Sequence, residues 1–311
     1  MSKAPYPFTL LKHHLKNIFH RTPFIPYRKP SKRYKIWGRK RERQFLKSVA
    51  QEYKKDKKAV DAVKASIIMP AYNRAYCILG AVKSVLDQQH RNWELLIIDD
   101  GSTDELHSIL APYTSDERIC LVQTPHGGVS KARNLGLEKA TGKYVFYLDT
   151  DNNWFPHYMR HMITFMQKGN LEAAYSGARI VNDEKVIIGY FGEEFDWQEC
   201  RELNHVDINT FAHLRQTGKE AIRFDEGLKR FVDWDFILSI TALKPTAWAP
   251  FIGVEYYDGQ QGDRITFTHH TEPSESEQVL NLIREKHAHS NHKQAVKTPE
   301  IRPRWEKILE L

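Results

Sequence analysis

An α/β fold with a mostly parallel, doubly wound sheet is predicted by three observations. Residues 65–70, 93–99, 119–123 and 143–148 are short apolar runs without the polar alternation of half-exposed strands, as expected for strands buried on both faces. Stretches at 78–89 and 131–140 read as helices, so strands and helices alternate with short connections. The strands also end on proline, acidic or glycine-rich turns, at the edge where open α/β sheets bind ligands. Helical N-terminal and C-terminal extensions flank this body.

Hydrophobic residues make up 41% of the 311 residues and aromatics 12%, which excludes wholesale disorder. Cys77, Cys120 and Cys200 are odd in number and lack a CxxC spacing, pointing to a reducing compartment without a zinc site or disulfide framework. No apolar run approaches the roughly 18 residues of a membrane span, and no signal-peptide core opens the chain. The expectation is a cytoplasmic protein, peripheral on the inner face of the membrane if its arm binds there. The net charge of +7 is unevenly placed. Residues 1–64 hold 19 Lys+Arg against 4 Asp+Glu, a net of +15, leaving 27 against 35, or −8, for the rest. Three units are expected: a basic, mostly helical arm (1–64), the α/β body (65–271) and a helical tail (272–311).

In the arm, Phe8, Leu11, Leu15 and Phe19 recur at helical spacing before Pro23, Pro26 and Pro30 break the pattern. The segment Lys32-Arg33-Tyr34-Lys35-Ile36-Trp37-Gly38-Arg39-Lys40-Arg41 comes next, and a Lys-rich helix then runs to about Lys64. Residues 1–45 suit an anionic membrane surface. A helix whose apolar face packs on the body accounts for the same pattern. Nucleic acid is not expected, because the body is acidic and carries no nucleic-acid motif.

The first strand stops at Pro70-Ala71-Tyr72-Asn73-Arg74. The second ends in Asp99-Asp100-Gly101-Ser102-Thr103-Asp104, a turn able to cap a helix. The third leads into Pro125-His126-Gly127-Gly128-Val129-Ser130. The fourth delivers Asp149-Thr150-Asp151-Asn152-Asn153-Trp154. Carboxylates one residue apart can both reach a hard divalent cation, directly or through its water, and such a cation usually brings phosphates. A solvated Asp-rich turn would look the same in sequence.

Together these motifs, with Gly128-Val129-Ser130-Lys131-Ala132-Arg133-Asn134-Leu135-Gly136, resemble the family 2 glycosyltransferases. That family has the GT-A nucleotide-sugar-binding fold. The likeness extends through Ala174-Tyr175-Ser176-Gly177 and Phe224-Asp225-Glu226-Gly227-Leu228 to Val232-Asp233-Trp234-Asp235-Phe236, covering residues 65 to about 270. It implies an inverting, metal-dependent hexosyl or N-acetylhexosaminyl transfer from a nucleotide sugar, most simply a UDP-sugar. The acceptor would be a glycan or lipid-linked glycan in surface polysaccharide or lipopolysaccharide synthesis. A nucleotidyltransferase and a non-catalytic nucleotide-sugar-binding module are the alternatives. The first would want a Gly-rich basic loop after the first strand.

The resemblance assigns Asp100 to the uracil N–H, with Pro70, Ala71 and Tyr72 lining the base. Arg74 and Arg133 would lie beside the diphosphate, although surface ion pairing explains arginines equally well. Asp149 and Thr150 belong to the donor site. Asp151, with Asp149, would hold Mn²⁺ or Mg²⁺. Asp233 would be the general base; capping the helix to Leu243 is its competing role. Val232 stands where the family commonly has glutamate. Asp99 reads as a structural acid, Asp235 as support for that helix or for an acceptor hydroxyl, and Asp207 as an acceptor-side candidate. Trp154 and Trp234 can stack on sugars or fill the core. Gly262-Asp263-Arg264-Ile265-Thr266 loosely resembles a last family motif, and His269 and His270 form a pair without metal-ligand spacing. Residues 274–285 and 302–311 read as helices.

Overall fold

The computed structural model describes residues 32–218, 220–258 and 273–288. β1 (Ala65–Ala71), β2 (Trp93–Asp99) and β4 (Tyr144–Tyr147) send successive side chains into two different cores. Ile67, Met69, Leu95, Ile97 and Phe146 enter one; Ile68, Leu96, Ile98, Val145 and Tyr147 enter the other. This is why these runs have no polar alternation: both faces are covered.

With β3 (Ile119–Gln123), β5 (Asn153–Trp154), β6 (Ala173–Val181), β7 (Ile187–Phe191), β8 (Phe211–Leu214) and β9 (Thr246–Tyr257), the strands form one sheet in the order β3-β2-β1-β4-β8-β6-β9-β5. β7 pairs with β6 off this path. The β3-β2-β1-β4 half is parallel throughout. β8 then runs antiparallel between β4 and β6, while β6 and β9 pair in parallel. The strand order reverses around β1, so the ends of β1, β2 and β4 open onto one crevice.

The first core is closed by α1 (Lys32–Lys55), α2 (Lys57–Asp61), α3 (Ile78–Leu86), α4 (Leu106–Leu110) and α6 (Tyr158–Gly169). The second is closed by α5 (Val129–Lys139), α7 (Trp197–Glu202), α8 (Val232–Leu243) and α9 (Pro273–Ala288). α3 ends three residues before the expected boundary. There Gln88 turns inward, its amide donating to the carbonyls of Ser84 at 3.0 Å and Phe155 at 2.9 Å. α5 starts earlier than expected because Gly128, at φ +91°, makes the sharp turn into it.

The basic segment 32–41, expected ahead of the Lys-rich helix, is itself the start of α1. The second half of that helix, and α2 after it, pack on the body. Phe45 stacks on Phe251 at 5.5 Å and meets Phe165 edge-on at 5.4 Å, and Val49 and Val60 are buried. Each such side chain contributes about 1.5–3 kcal/mol through burial. Arg41 pairs with Glu194 and lies over Trp248, and Glu42 accepts the Ile252 amide at 2.8 Å. Arg41, Glu42 and Phe45 are therefore engaged by the body, whereas Arg43 between them is exposed. The stripe Phe8, Leu11, Leu15 and Phe19, the helix at 302–311, and Asp263, His269 and His270 lie outside the described residues. Among the described residues no helix is long and apolar enough to cross a membrane.

Candidate active site

The crevice is shaped first by contacts between loops. Asn73 adopts a left-handed backbone (φ +51°); its side chain accepts the Thr103 amide at 2.8 Å and its own amide donates to Ser102 Oγ at 2.9 Å. Asp104 accepts the Ala75 amide at 2.8 Å. The loop after β1 is thus tied to the turn after β2. Asp99 is buried and spent on structure: it accepts the Ser102 amide at 2.8 Å and pairs with His107 at 2.7 Å.

Asp100 joins the same turn to the third loop. Its two oxygens accept the Gly127 and Gly128 amides, each at 2.8 Å, and His126 Nδ1 lies 2.9 Å away. A carboxylate has about four lone-pair sites, so one remains for an imide N–H. Gly101 permits this closeness: at φ +78°, a Cβ there would meet the His126 backbone nitrogen at 2.8 Å. Tyr72 is exposed and stacks on His126 with centroids 4.1 Å apart, an aromatic surface at the crevice mouth. Pro70 is half-buried and Ala71 buried beneath it.

At the end of β4, each carboxylate oxygen of Asp149 accepts a hydrogen bond. Arg133 Nη2 donates to Oδ1 at 2.9 Å, Asn209 Nδ2 donates to Oδ2 at 3.0 Å, and the Asp149 amide donates to Asn209 Oδ1 at 2.6 Å. Thr150 is buried with its hydroxyl 3.8 Å from the Cys77 thiol, so its side chain faces inward. Burial raises that thiol's pKa above the usual range; the Thr150 contact opposes the shift, and nearby Asp151 adds to it. Arg74 donates to Tyr76 Oη at 2.5 Å, and it lowers the Cys77 pKa where Asp151 raises it.

Arg133 is the centre of the site. The sequence suggested a diphosphate ligand; the structure shows a guanidinium 3% exposed, beneath Asp149 and with Nη1 3.6 Å from Asp233 Oδ1. It lies 5.2 Å from the Phe224 ring centroid. Burial alone would lower its pKa, but Asp149 and Asp233 reverse that and raise it. Two carboxylates from motifs 84 residues apart in sequence thus share one buried cation. The next residue, Asn134, donates to the Phe224 carbonyl at 2.9 Å and Glu226 at 2.8 Å and accepts the Phe224 amide at 2.8 Å, fixing the loop that leads to α8.

Asp233 stands in the first turn of α8, its side chain 37% exposed to the crevice. The residue before the helix, Phe231, is left-handed (φ +56°) and makes no side-chain cap. For a bulky residue this stores about 1–3 kcal/mol of strain, which the surroundings must hold. Asp207 lies nearby and accepts the Asn209 amide and side chain at 2.9 Å each. Burial pushes its carboxyl up to about 7; Asn209 opposes the shift, and Asp149 and Asp233 add to it. Asp235 is buried against α9, where Lys286 and His287 bond to it. Trp154 and Trp234 are core residues, their indoles donating to the Asn209 and Cys200 carbonyls.

Sequence reasoning missed Asn209, Asn134 and His126. Asn209 sits two residues after Asp207 and Asn134 directly after Arg133, so position beside a motif was the available signal.

Among the described residues no three His, Cys, Asp or Glu side chains converge on a metal position. With Asp149 held by Arg133 and Asn209, the protein can offer Asp151 and at most a shared Asp149 oxygen. That donor set fits Mg²⁺ or Mn²⁺, which take one or two carboxylates and complete their shell with substrate phosphates and water.

Residues 66–223, just over half of the chain, match the glycosyl transferase family 2 model. The match stops short of Asp233. WfgD of Escherichia coli, a UDP-Glc:alpha-D-GlcNAc-diphosphoundecaprenol beta-1,3-glucosyltransferase, is 35% identical over 129 residues, 41% of this chain and 51% of that protein. The putative teichuronic acid biosynthesis glycosyltransferase TuaG of Bacillus subtilis is 40% identical over 128 residues, 40% of this chain and 51% of that one. The chain spans about half the length of both relatives. The crystal structure of Staphylococcus aureus TarS residues 1–349 with UDP-GlcNAc superimposes with a TM-score of 0.61 at 21% identity, over 73% of this chain and 69% of that one, and shares the fold.

Proposed function

The chain belongs to glycosyl transferase family 2, and from that premise we propose an inverting, metal-dependent transfer of a hexosyl or N-acetylhexosaminyl group from a UDP-sugar. The acceptor is a glycan or lipid-linked glycan in surface polysaccharide synthesis, reached from the cytoplasmic side of the membrane. Family membership sets the nucleotidyltransferase reading aside. The observation that carries the proposal is Arg133 lying between Asp149 and Asp233. It brings the carboxylate motif suited to a diphosphate and the carboxylate suited to an acceptor hydroxyl to one point. UDP-Glc as the donor of WfgD and UDP-GlcNAc bound to TarS support uridine as the donor base.

In this mechanism the uracil lies against Tyr72 and above Ala71 and Pro70, its N–H donating to the remaining lone pair of Asp100. The diphosphate lies over the end of β4, near Arg74. A divalent cation held by Asp151, with Asp149, would neutralise charge on the departing nucleotide. Asp233 accepts the proton of the acceptor hydroxyl as its oxygen attacks the anomeric carbon from the face opposite the phosphate. The bond to phosphate oxygen breaks and configuration inverts. One base suffices because no covalent intermediate forms. Arg133 supplies the charge compensation that lets Asp149 and Asp233 approach each other.

A panel of nucleotide sugars read by thermal shift and donor hydrolysis tests this. UDP-sugars should stabilise the protein in Mn²⁺ and lose that effect in EDTA, and an α-linked donor should give a β-linked product. Equal stabilisation by ADP- and GDP-sugars, or retention of configuration, would contradict it.

A further inference from the structure

α9 lies at the far end of the chain from the family match, yet it is joined to the helix that carries Asp233. Asp235, 1% exposed, receives two donors from it: Lys286 Nζ at 2.8 Å and His287 Nε2 at 2.9 Å. Lys286 also pairs with Asp225 at 3.0 Å. That contact lowers the Asp225 pKa, while Lys286 is raised by both acids against the opposing effect of its own burial. One ammonium therefore pins both ends of the segment 225–235, which contains the strained Phe231 and Asp233.

Residues two apart on a helix point about 200° apart, so the first turn of α8 is gripped on opposite sides. Arg133 holds it through Asp233 on the crevice side, and α9 holds it through Asp235 on the buried side. Phe224, next to Asp225, stacks on Phe236 of α8 with centroids 3.9 Å apart. Leu280 and Ile283 of α9 join the same core as Trp234 and Phe236. With no side-chain cap at Phe231, these contacts are what keep the turn in place.

We propose that Lys286 and His287 are positioning residues, through which the C-terminal helix latches Asp235 and so sets the place of the general base. The proposal rests on the reading of Asp233 as that base. The latch contacts run to Asp225 and Asp235 and not to a residue assigned to the donor, so its loss should appear in turnover and leave nucleotide binding alone.

The test is the full chain carrying Lys286→Met with His287→Leu, assayed at saturating donor. A displaced base lowers kcat by about 10- to 100-fold, with UDP affinity and donor KM within about twofold of the parent. Lys286→Arg with His287→Gln should recover part of the loss. Arg284→Ala, which frees α9 from Glu202 but spares the latch, should keep kcat within about twofold. In an Asp233→Asn background the latch substitutions should lower the rate no further. If the double variant does not fold, Lys286→Met alone is read by the same criteria. A folded variant with parental kcat, a donor KM that moves as far as kcat, or losses that add to those of Asp233→Asn would each overturn the latch. An inactive Asp233→Asn beside an unaffected double variant overturns the latch alone, whereas parental kcat in Asp233→Asn overturns the base and the latch's target with it.

Discussion

Replacing Arg133 by methionine removes the cation that Asp149 and Asp233 share while keeping most of the side-chain volume. Breaking a buried ion pair from one side costs about 3–5 kcal/mol, because the partner charges stay behind uncompensated. Here the carboxylates are 31% and 37% exposed and retain some water, which moves the expected cost to the lower end, about 3 kcal/mol. For a domain of this size that lowers the melting temperature by about 6–12 °C. Arg133→Lys keeps the charge without the planar fork, so it should recover only part of the loss. Melting of the ligand-free protein by circular dichroism is the assay, with UDP titration beside it. If Arg133 were a phosphate-binding arm, methionine would weaken UDP binding and leave the ligand-free melting temperature within about 2 °C. That result would refute the bridging role.

Three other outcomes are expected. Burial holds His161 and His213 down to about 3 and about 4, so the stability gained by keeping them neutral is complete above about 6.5 and lost as pH falls through those values. His161→Phe should therefore flatten the loss of urea stability between pH 6.5 and 4 by up to about 1.4 kcal/mol per pH unit, and an unchanged slope would exclude His161 as a contributor. Asp151→Ala should abolish turnover and weaken UDP binding in Mn²⁺ while leaving the fold intact; full activity of the parent protein in EDTA would sink the metal's role. Deleting residues 1–30 should release the protein from anionic vesicles and leave its activity on a soluble acceptor, since Phe45 and Val49 lie beyond the cut. Equal, salt-insensitive binding to neutral and anionic vesicles would rule out the electrostatic attraction.

The central strands were legible in the sequence because burial on both faces leaves an uninterrupted apolar run, as at Leu95 to Ile98. The parallel pairing of β6 with β9 was not, since it joins segments about 70 residues apart and no local pattern encodes a partner. The acids were easier to find than their states. Asp149, Asp151 and Asp233 stand in recognisable motifs, but nothing in a one-letter string tells a buried Arg133 from an exposed one. Asp99 was read as structural, which agrees with its bonds to Ser102 and His107. Asn209 and Asn134 were given no role because the partners that define them, Asp149 and Phe224, are distant in sequence. Lys286 and His287 lie in a polar helix, and only the fold reveals that Asp235 is their partner.

The most direct measurement pairs turnover with donor binding in Asp233→Asn. Asparagine keeps the size of the side chain and cannot take the acceptor proton. UDP-sugar affinity, measured calorimetrically in Mn²⁺, should stay close to that of the parent protein, while kcat at saturating donor and acceptor falls by about 10²–10⁴-fold. Loss of donor affinity with kcat unchanged at saturation would place Asp233 in the donor site and contradict its assignment as the base.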